Sequence, residues 1–430
     1  MSGWLVSRQE LTPDQLRAVE MSPEHHRVVT GPPGSGKTLV LLHRARHLAD
    51  TMKVPPERFL ILVYTNALSQ YIRAALKDLN IPEECVCTFD SLCWDLHSQL
   101  VSEKRPWDGA NRSIDFAAIR SAVLAKLRWN QLTRRPFDFV LVDEGQDLPI
   151  EAFAILRCVS WHVTVAIDRK QQIYDGGAAE AELLFALGIR SRSVSFLEAY
   201  RCSPYVASLA KRFVLDGKER EAFGRQAQAA MGKAAQAEKE KPLLFRATCP
   251  EEEMARLAEV ARARLARGER VAVLVPGRRL VHRLAVGLAA KGIPVEVAAN
   301  RNENRQESGL PTLDFATDLV KVMPYHSAKG LTFDTVLLPR LVDSAFRKVD
   351  PENLLCLLFV GITRATTWVY LSTCEGKEHP VLGKAGLLEG GLDLVVQEGD
   401  PMWAFGESPG VDDAEAEHEA GGSNLMTDWL

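Results

Sequence analysis

VTGPPGSGKTL, residues 29–39, decides the fold. It follows the apolar run RVVT (27–30) and precedes the amphipathic run LVLLHRARHLAD (39–50), so it reads as strand, loop and helix. Within it stands G-x-x-x-x-G-K-T. Gly31, Gly34 and Gly36, with Ser35 between them, let backbone N–H groups close around phosphates, and the helix N-terminus adds its positive end. Lys37 is expected to reach the β and γ phosphates, and the Thr38 hydroxyl to ligate Mg²⁺. The expected ligand is a nucleoside triphosphate.

FVLVDEGQDLP (139–149) supplies the complementary chemistry. Asp143 and Glu144 close an apolar strand, and open α/β sheets bind ligands at that end. Asp143 is expected to hold the Mg²⁺ shared with Thr38, and Glu144 to polarise the attacking water. Gln146 and Asp147 follow at once, as in machines that report nucleotide state to a second domain. Strand-like runs recur along the chain: FLILVYT (59–65), HVTVAID (162–168), RVAVLVP (270–276), VKVMP (320–324), DTVLLP (334–339) and TWVYLS (367–372). Helical patterns separate them, as in EEEMARLAEVARARLARG (251–268), so the class is α/β with parallel sheets.

The chain has 430 residues, too many for one ordinary core, which predicts two domains. The longest apolar run, LLCLLFVGI (354–362), is far short of the ~20 residues of a membrane helix. MSGWLVSRQELTPDQ carries no secretory pattern. Cys85, Cys87 and Cys93 cluster without the second ligand pair that zinc needs, so the cysteines read as reduced thiols of a cytoplasmic protein with no membrane partner. Net charge is −4, but residues 407–430 carry seven acidic side chains and no Lys or Arg, leaving +3 on the rest. That tail reads as a disordered acidic segment or, through Leu425, Met426, Trp429 and Leu430, as a partner-binding one.

In motif content and order, residues 8–375 resemble the superfamily 1 DNA helicases of the UvrD/Rep/PcrA type. LTPDQLRAV (11–19) resembles their adenine-reading segment, which implies that Gln15 meets the base. DRKQQIY (168–174) is similar to G-D-x-x-Q-x-I-Y, with Gln171 sensing the γ-phosphate and Tyr174 facing a DNA base. LEAYRCS (197–203) implies that Tyr200 stacks on adenine and Arg201 binds phosphate. YHSAKGLTFDTV (325–336) resembles H-S-x-K-G-L-E-F-D, placing Gly330 at the nucleotide and His326 and Ser327 on the strand. LLFVGITRAT (357–366) makes Arg364 a second arginine finger. VYTNAL (63–68) and TFDSLC (88–93) resemble phosphate-holding segments, implying strand contacts by Thr65, Asn66, Thr88, Phe89 and Ser91.

The resemblance implies two RecA-like domains with ATP at their interface: 1–195 with a short accessory insertion at about 94–136, then 196–400 with the arginine fingers, then the tail 401–430. It implies an ATP- and Mg²⁺-dependent 3′–5′ motor on single-stranded DNA, with RNA as the alternative strand. Four departures stand out: Asp90 replaces His, YTNAL lacks a Phe, DGGAA after Tyr174 lacks a Trp, and Thr332 replaces Glu. The segments at 94–136 and 299–319 are short where relatives carry accessory subdomains, so a protein partner in their place is one expectation. The alternative is a nucleic-acid-stimulated ATPase switch in a repair or anti-phage defence complex, unwinding little by itself.

Overall fold

The computed structural model describes residues 5–32, 34–109, 113–129, 135–168, 180–191, 193–196, 202–214, 240–298, 310–347, 349–401 and 403, with positions 217, 220, 221 and 224 besides. Two parallel sheets dominate it. The first is built from β1 (Arg27–Thr30), β2 (Phe59–Val63), β3 (Val86–Thr88), β6 (Phe137–Val142), β7 (Ser160–Ile167) and β8 (Val194–Ser195). Their spatial order is β3-β2-β6-β7-β1-β8. A short antiparallel pair, β4 (Trp107–Asp108) and β5 (Ser113–Ile114), stands apart from it.

The strands of this sheet are apolar on both faces because helices cover both. Val29, Ile61, Val63, Phe139 and Leu141 face the helices Lys37–Met52 and Asn66–Leu76, whereas Val28, Leu62, Val140 and Val142 face Phe89–Leu100, Phe116–Trp129 and Ile150–Val159. Within 94–136, expected as an accessory insertion, the helix Phe116–Trp129 packs on the first sheet: Ile119, Val123 and Leu127 lie in the cluster that holds Phe153 and Leu156.

The second sheet contains β9 (Leu243–Ala247), β10 (Val271–Val275), β11 (Val295–Val297), β12 (Val320–Pro324), β13 (Phe333–Leu338), β14 (Ala365–Cys374) and β15 (Val395–Glu398). Its order is β11-β12-β10-β13-β14-β9-β15, again parallel throughout. Helices Pro250–Ala266 and Arg278–Ala290 cover one face. The other face, with Leu244, Leu274, Val336 and Leu371, belongs to the same apolar cluster as the helix Lys37–Met52 of the first sheet. The chain leaves the first sheet where Phe196 N donates to Thr30 O (2.7 Å) and joins the second where Ser203 N donates to Thr366 O (2.6 Å). Of the segment 299–319, the part from 310 onward is pinned: Lys321 Nζ, buried against Glu296 (2.6 Å), also donates to Asp314 O and Thr317 Oγ1. Most of 216–241, a stretch rich in Ala, Lys, Glu and Gln, lies outside the described residues.

Arg44 explains how the phosphate-loop helix is anchored. It is fully buried, and Nη1 donates to Val19 O (2.9 Å) and Met21 O (2.7 Å), where the helix Pro13–Val19 ends. Carbonyls at a helix C-terminus suit a cation. Nη2 donates to His162 Nε2 (3.1 Å), and Nε donates to Thr164 Oγ1 (2.9 Å). A ring nitrogen that accepts from a guanidinium leaves His162 neutral, and burial followed by the Arg44 charge depresses it to about 3. A folded value below the ordinary 6.5 gives stability that is present above pH 6.5 and lost as pH falls toward 3. Urea unfolding between pH 7.5 and 5 should therefore show up to about 1.4 kcal/mol lost per pH unit from this ring, and His162→Asn should flatten that part of the slope. Equal slopes in both proteins would contradict the buried neutral ring.

Candidate nucleotide site

Parallel strands bring the first sheet's carboxyl ends to one edge, and the order β6-β7-β1 sets three loops side by side there. After β1 comes the phosphate loop. Its last residue, Gly36, caps the helix Lys37–Met52 at φ 84°, where an ideal Cβ would lie 2.5 Å from Gln15 Nε2, so only glycine serves. Gln15 lies against this loop. Its Nε2 donates to Ser35 O (3.0 Å), and its Oε1 accepts from Thr12 N (3.0 Å). Lys37 Nζ donates to Gly31 O (2.8 Å), Pro32 O (3.0 Å) and Asp168 Oδ2 (3.2 Å). Asp168 itself closes β7 as Asp143 closes β6.

Thr38 Oγ1 donates to Asp143 Oδ2 (2.6 Å), joining the expected pair of metal ligands. Burial and the neighbouring Glu144 charge push the Asp143 carboxyl up to about 7, against the pull of Thr38 and Lys37. A buried carboxylate raised in this way gains most from a nearby dication. The donor set suits Mg²⁺, which takes one or two carboxylates together with phosphate and water oxygens. Among the described residues no group of three or more His, Cys, Asp or Glu is arranged to hold a metal by itself.

Glu144 adopts a left-handed backbone, φ 52° and ψ 41°, which is uncommon for a residue with a side chain. Gly145 allows it. A Cβ there would stand 2.2 Å from Val165 Cγ1, so the turn is pressed against β7. Gln146 then fixes both neighbours: Nε2 donates to Glu144 Oε2 (2.6 Å), and Oε1 accepts from Asp168 N (2.9 Å). Burial works to raise Glu144, and Lys329, Lys37 and Arg364 outweigh it, leaving the carboxyl below its ordinary value. Asp147, also buried, is pushed up to about 7 by that burial although Lys329 Nζ lies 2.7 Å from its carboxylate.

The second sheet reaches this edge through residues just ahead of β13 and β14. Arg364 is 5% exposed; it donates to Val360 O (3.1 Å) and Leu331 O (3.3 Å), and burial lowers it while Glu144, Asp168 and Asp143 pull it back up. Gly330, at φ 79°, closes against the first sheet's helix Asn66–Leu76, an ideal Cβ lying 2.8 Å from Leu68. Gln171, Tyr174, Tyr200 and Arg201 lie outside the described residues.

The residues expected at a nucleic-acid strand do not gather in this way. Thr65 and Thr88 are helix N-caps: Thr65 Oγ1 accepts from Leu68 N (3.1 Å), and Thr88 Oγ1 accepts from Ser91 N (3.2 Å). Phe89 is a core residue at 3% exposure, so its ring presents no surface to a base. Asn66 and Ser91 are exposed and Ser327 is half-buried. His326 is buried and held to about 4 by that burial and by Arg278, hence neutral. Asp90, where relatives have His, pairs with Arg120 (3.3 Å), which offsets its charge.

Three participants were not singled out from sequence. Asp168 and Lys329 both stand inside quoted motifs, and a strand ending in Asp beside the phosphate loop was a usable sign for the first. Nothing in the sequence marked Gly145, whose need comes from Val165 across the sheet.

Residues 11–124 match the family model described as the UvrD/REP helicase N-terminal domain, so the resemblance to UvrD-like helicases holds over that stretch. No curated protein matches the chain. A solved structure with similarity is the C-terminal domain of a possible DNA helicase from Lactobacillus plantarum WCFS1, 16% identical, covering 46% of this chain and 98% of that one at a TM-score of 0.33. So loose a superposition carries no argument.

The wedge at Gly145 is testable. Gly145→Ala should destabilise the protein by about 1–3 kcal/mol through overpacking, and Val165→Ala in the same chain should recover much of that loss. Costs that simply add in the double variant would show that the two positions do not touch.

Proposed function

We propose that this protein is an ATP- and Mg²⁺-dependent motor on single-stranded DNA, a helicase or translocase moving 3′ to 5′, in which hydrolysis accompanies closure of the two sheets on the nucleotide. The observation that carries the reading is the meeting of Lys37, Thr38, Asp143 and Glu144 at one sheet edge with Arg364 arriving from the other sheet. The match to the UvrD/REP helicase N-terminal domain supports the substrate class.

In this reading Thr38 and Asp143 would hold Mg²⁺, which would supply positive charge to offset that of the phosphates. Lys37 leaves the carbonyls of its own loop to bind phosphate. Glu144, kept ionised by the surrounding cations, orients the attacking water and accepts its proton. Arg364 neutralises charge on the transferred phosphoryl group, a role worth ~10³–10⁵ in rate for arginine fingers. Gln15 would meet the base and Gly36 belongs to the phosphate loop beside it, while Gly330, closed against Leu68, would lie near the nucleotide at the seam between the sheets. Gln171 as sensor, Tyr200 as adenine platform and Arg201 as first finger complete the proposal from the sequence resemblance.

The strand would run over the amino ends of the helices Asn66–Leu76 and Phe89–Leu100, where exposed Asn66 and Ser91 and the positive helix ends suit phosphates. His326, Ser327 and Tyr174 would lie along the same track. A second reading is favoured by the burial of Phe89 and the capping use of Thr65 and Thr88. It is an ATPase switch stimulated by nucleic acid within a repair or defence complex, with the partner supplying the remaining grip. RNA in place of DNA, and a protein partner through the acidic tail or in place of the accessory subdomains, are open to either reading.

Glu144→Gln should keep ATP binding and abolish turnover, whereas Lys37→Ala should lose both; unchanged turnover in the first removes Glu144 as the base. Raising salt from about 50 to 200 mM should sharply reduce stimulation by a DNA strand if several phosphates are gripped. Duplex unwinding by the purified protein separates the two readings.

A further inference from the structure

We propose that Lys329 is a positioning residue, latching the second sheet to the D-E-G-Q-D turn so that Glu144 is productively held only when the two sheets are docked. This rests on the functional reading above and deepens it. Lys329 lies between β12 and β13, and its ammonium sits 2.7 Å from the carboxylate of Asp147, the side chains being 2% and 0% exposed. Neither residue has been given a role in the chemical step.

The contact continues on both sides. From Asp147 the backbone N–H donates to Glu144 O (3.0 Å) within one tight turn. Gln146, inside that turn, grips the Glu144 carboxylate and the Asp168 N–H, and Asp168 in turn grips Lys37. From Lys329 the chain passes through Gly330, closed against Leu68, to Leu331, whose carbonyl accepts from Arg364. A hydrogen-bonded path thus runs from a cation of the second sheet through the catalytic turn to the phosphate-loop lysine, and the arginine finger moves with its origin.

The physics favours a latch over glue. Two charges taken out of water lose hydration roughly comparable to what their attraction returns, so a buried pair adds little net stability while fixing one geometry. When the sheets part, water solvates both groups, and the pair re-forms only in register. Packed interfaces of this kind shift between discrete arrangements rather than deforming smoothly. Gly330 sharpens the register, because its left-handed backbone and contact with Leu68 leave no room for a side chain.

The test compares wild type with Lys329→Met and with Asp147→Asn/Lys329→Met; the double variant leaves no orphaned charge. Thermal melting, the dissociation constant of a fluorescent ATP analogue, and turnover with and without single-stranded DNA are measured on full-length protein. Expected are cooperative melting and nucleotide affinity within about threefold of wild type, but turnover down by about tenfold or more in both variants. Wild-type turnover in the double variant would overturn the proposal, as would a turnover loss matched by an equal loss of nucleotide affinity. Amide hydrogen exchange of residues 68–72, opposite Gly330, is followed without nucleotide. Faster exchange in Lys329→Met supports the latch, and unchanged exchange overturns it even if hydrolysis is confirmed. A wild-type protein that hydrolyses nothing overturns the functional reading and Lys329's part in turnover with it, and exchange alone then judges the docking contact.

Discussion

Four carboxylates, Asp143, Glu144, Asp147 and Asp168, are buried together at one edge of the first sheet, and the rest of the site is arranged around that charge. Carboxylates so placed repel one another and resist ionisation unless cations or hydrogen bonds answer them. Lys37 answers from the phosphate loop, Lys329 and Arg364 from the second sheet, and Gln146 distributes hydrogen bonds between the members. The environments push the carboxyls apart: Glu144 lies low among three cations, while Asp143 and Asp147 are driven up. Groups separated in this way suit the different roles proposed for them: holding a cation, taking a proton and carrying a mechanical contact.

The second sheet is therefore part of the first sheet's electrostatics as well as its neighbour. Its cations arrive just ahead of β13 and β14, and the apolar cluster that carries them runs on into the helix behind the phosphate loop. A shift between the sheets changes the field at Glu144 and the apolar contact in one movement. That coupling is what a motor or a switch requires. The helix Phe116–Trp129 is folded into the first sheet's own core.

Much of this was legible in the sequence because long buried strands write themselves as apolar runs. RVVT, RVAVLVP, HVTVAID and VKVMP each mark a strand to within a residue or two. The short edge strands β3, β8, β11 and β15 were silent, being two to four residues each with too little alternation to register. The phosphate loop and Asp143 were readable because their chemistry demands fixed spacing. The strand contacts were not: a Thr just ahead of a helix is the signature of an N-cap as well as of a phosphate clamp, and Thr65 and Thr88 both cap. Lys329 was hidden for a different reason. Its partner stands 182 positions away, and no local pattern announces a meeting across two sheets.

The charged edge and the second sheet together are proposed to make a nucleic-acid-driven ATPase. The most direct measurement is steady-state ATP turnover of the purified protein alone, with single-stranded DNA, and with single-stranded RNA. The account predicts slow basal turnover that rises strongly with the DNA strand. Turnover that is indifferent to either strand would contradict it, leaving a nucleotide switch whose trigger is a protein.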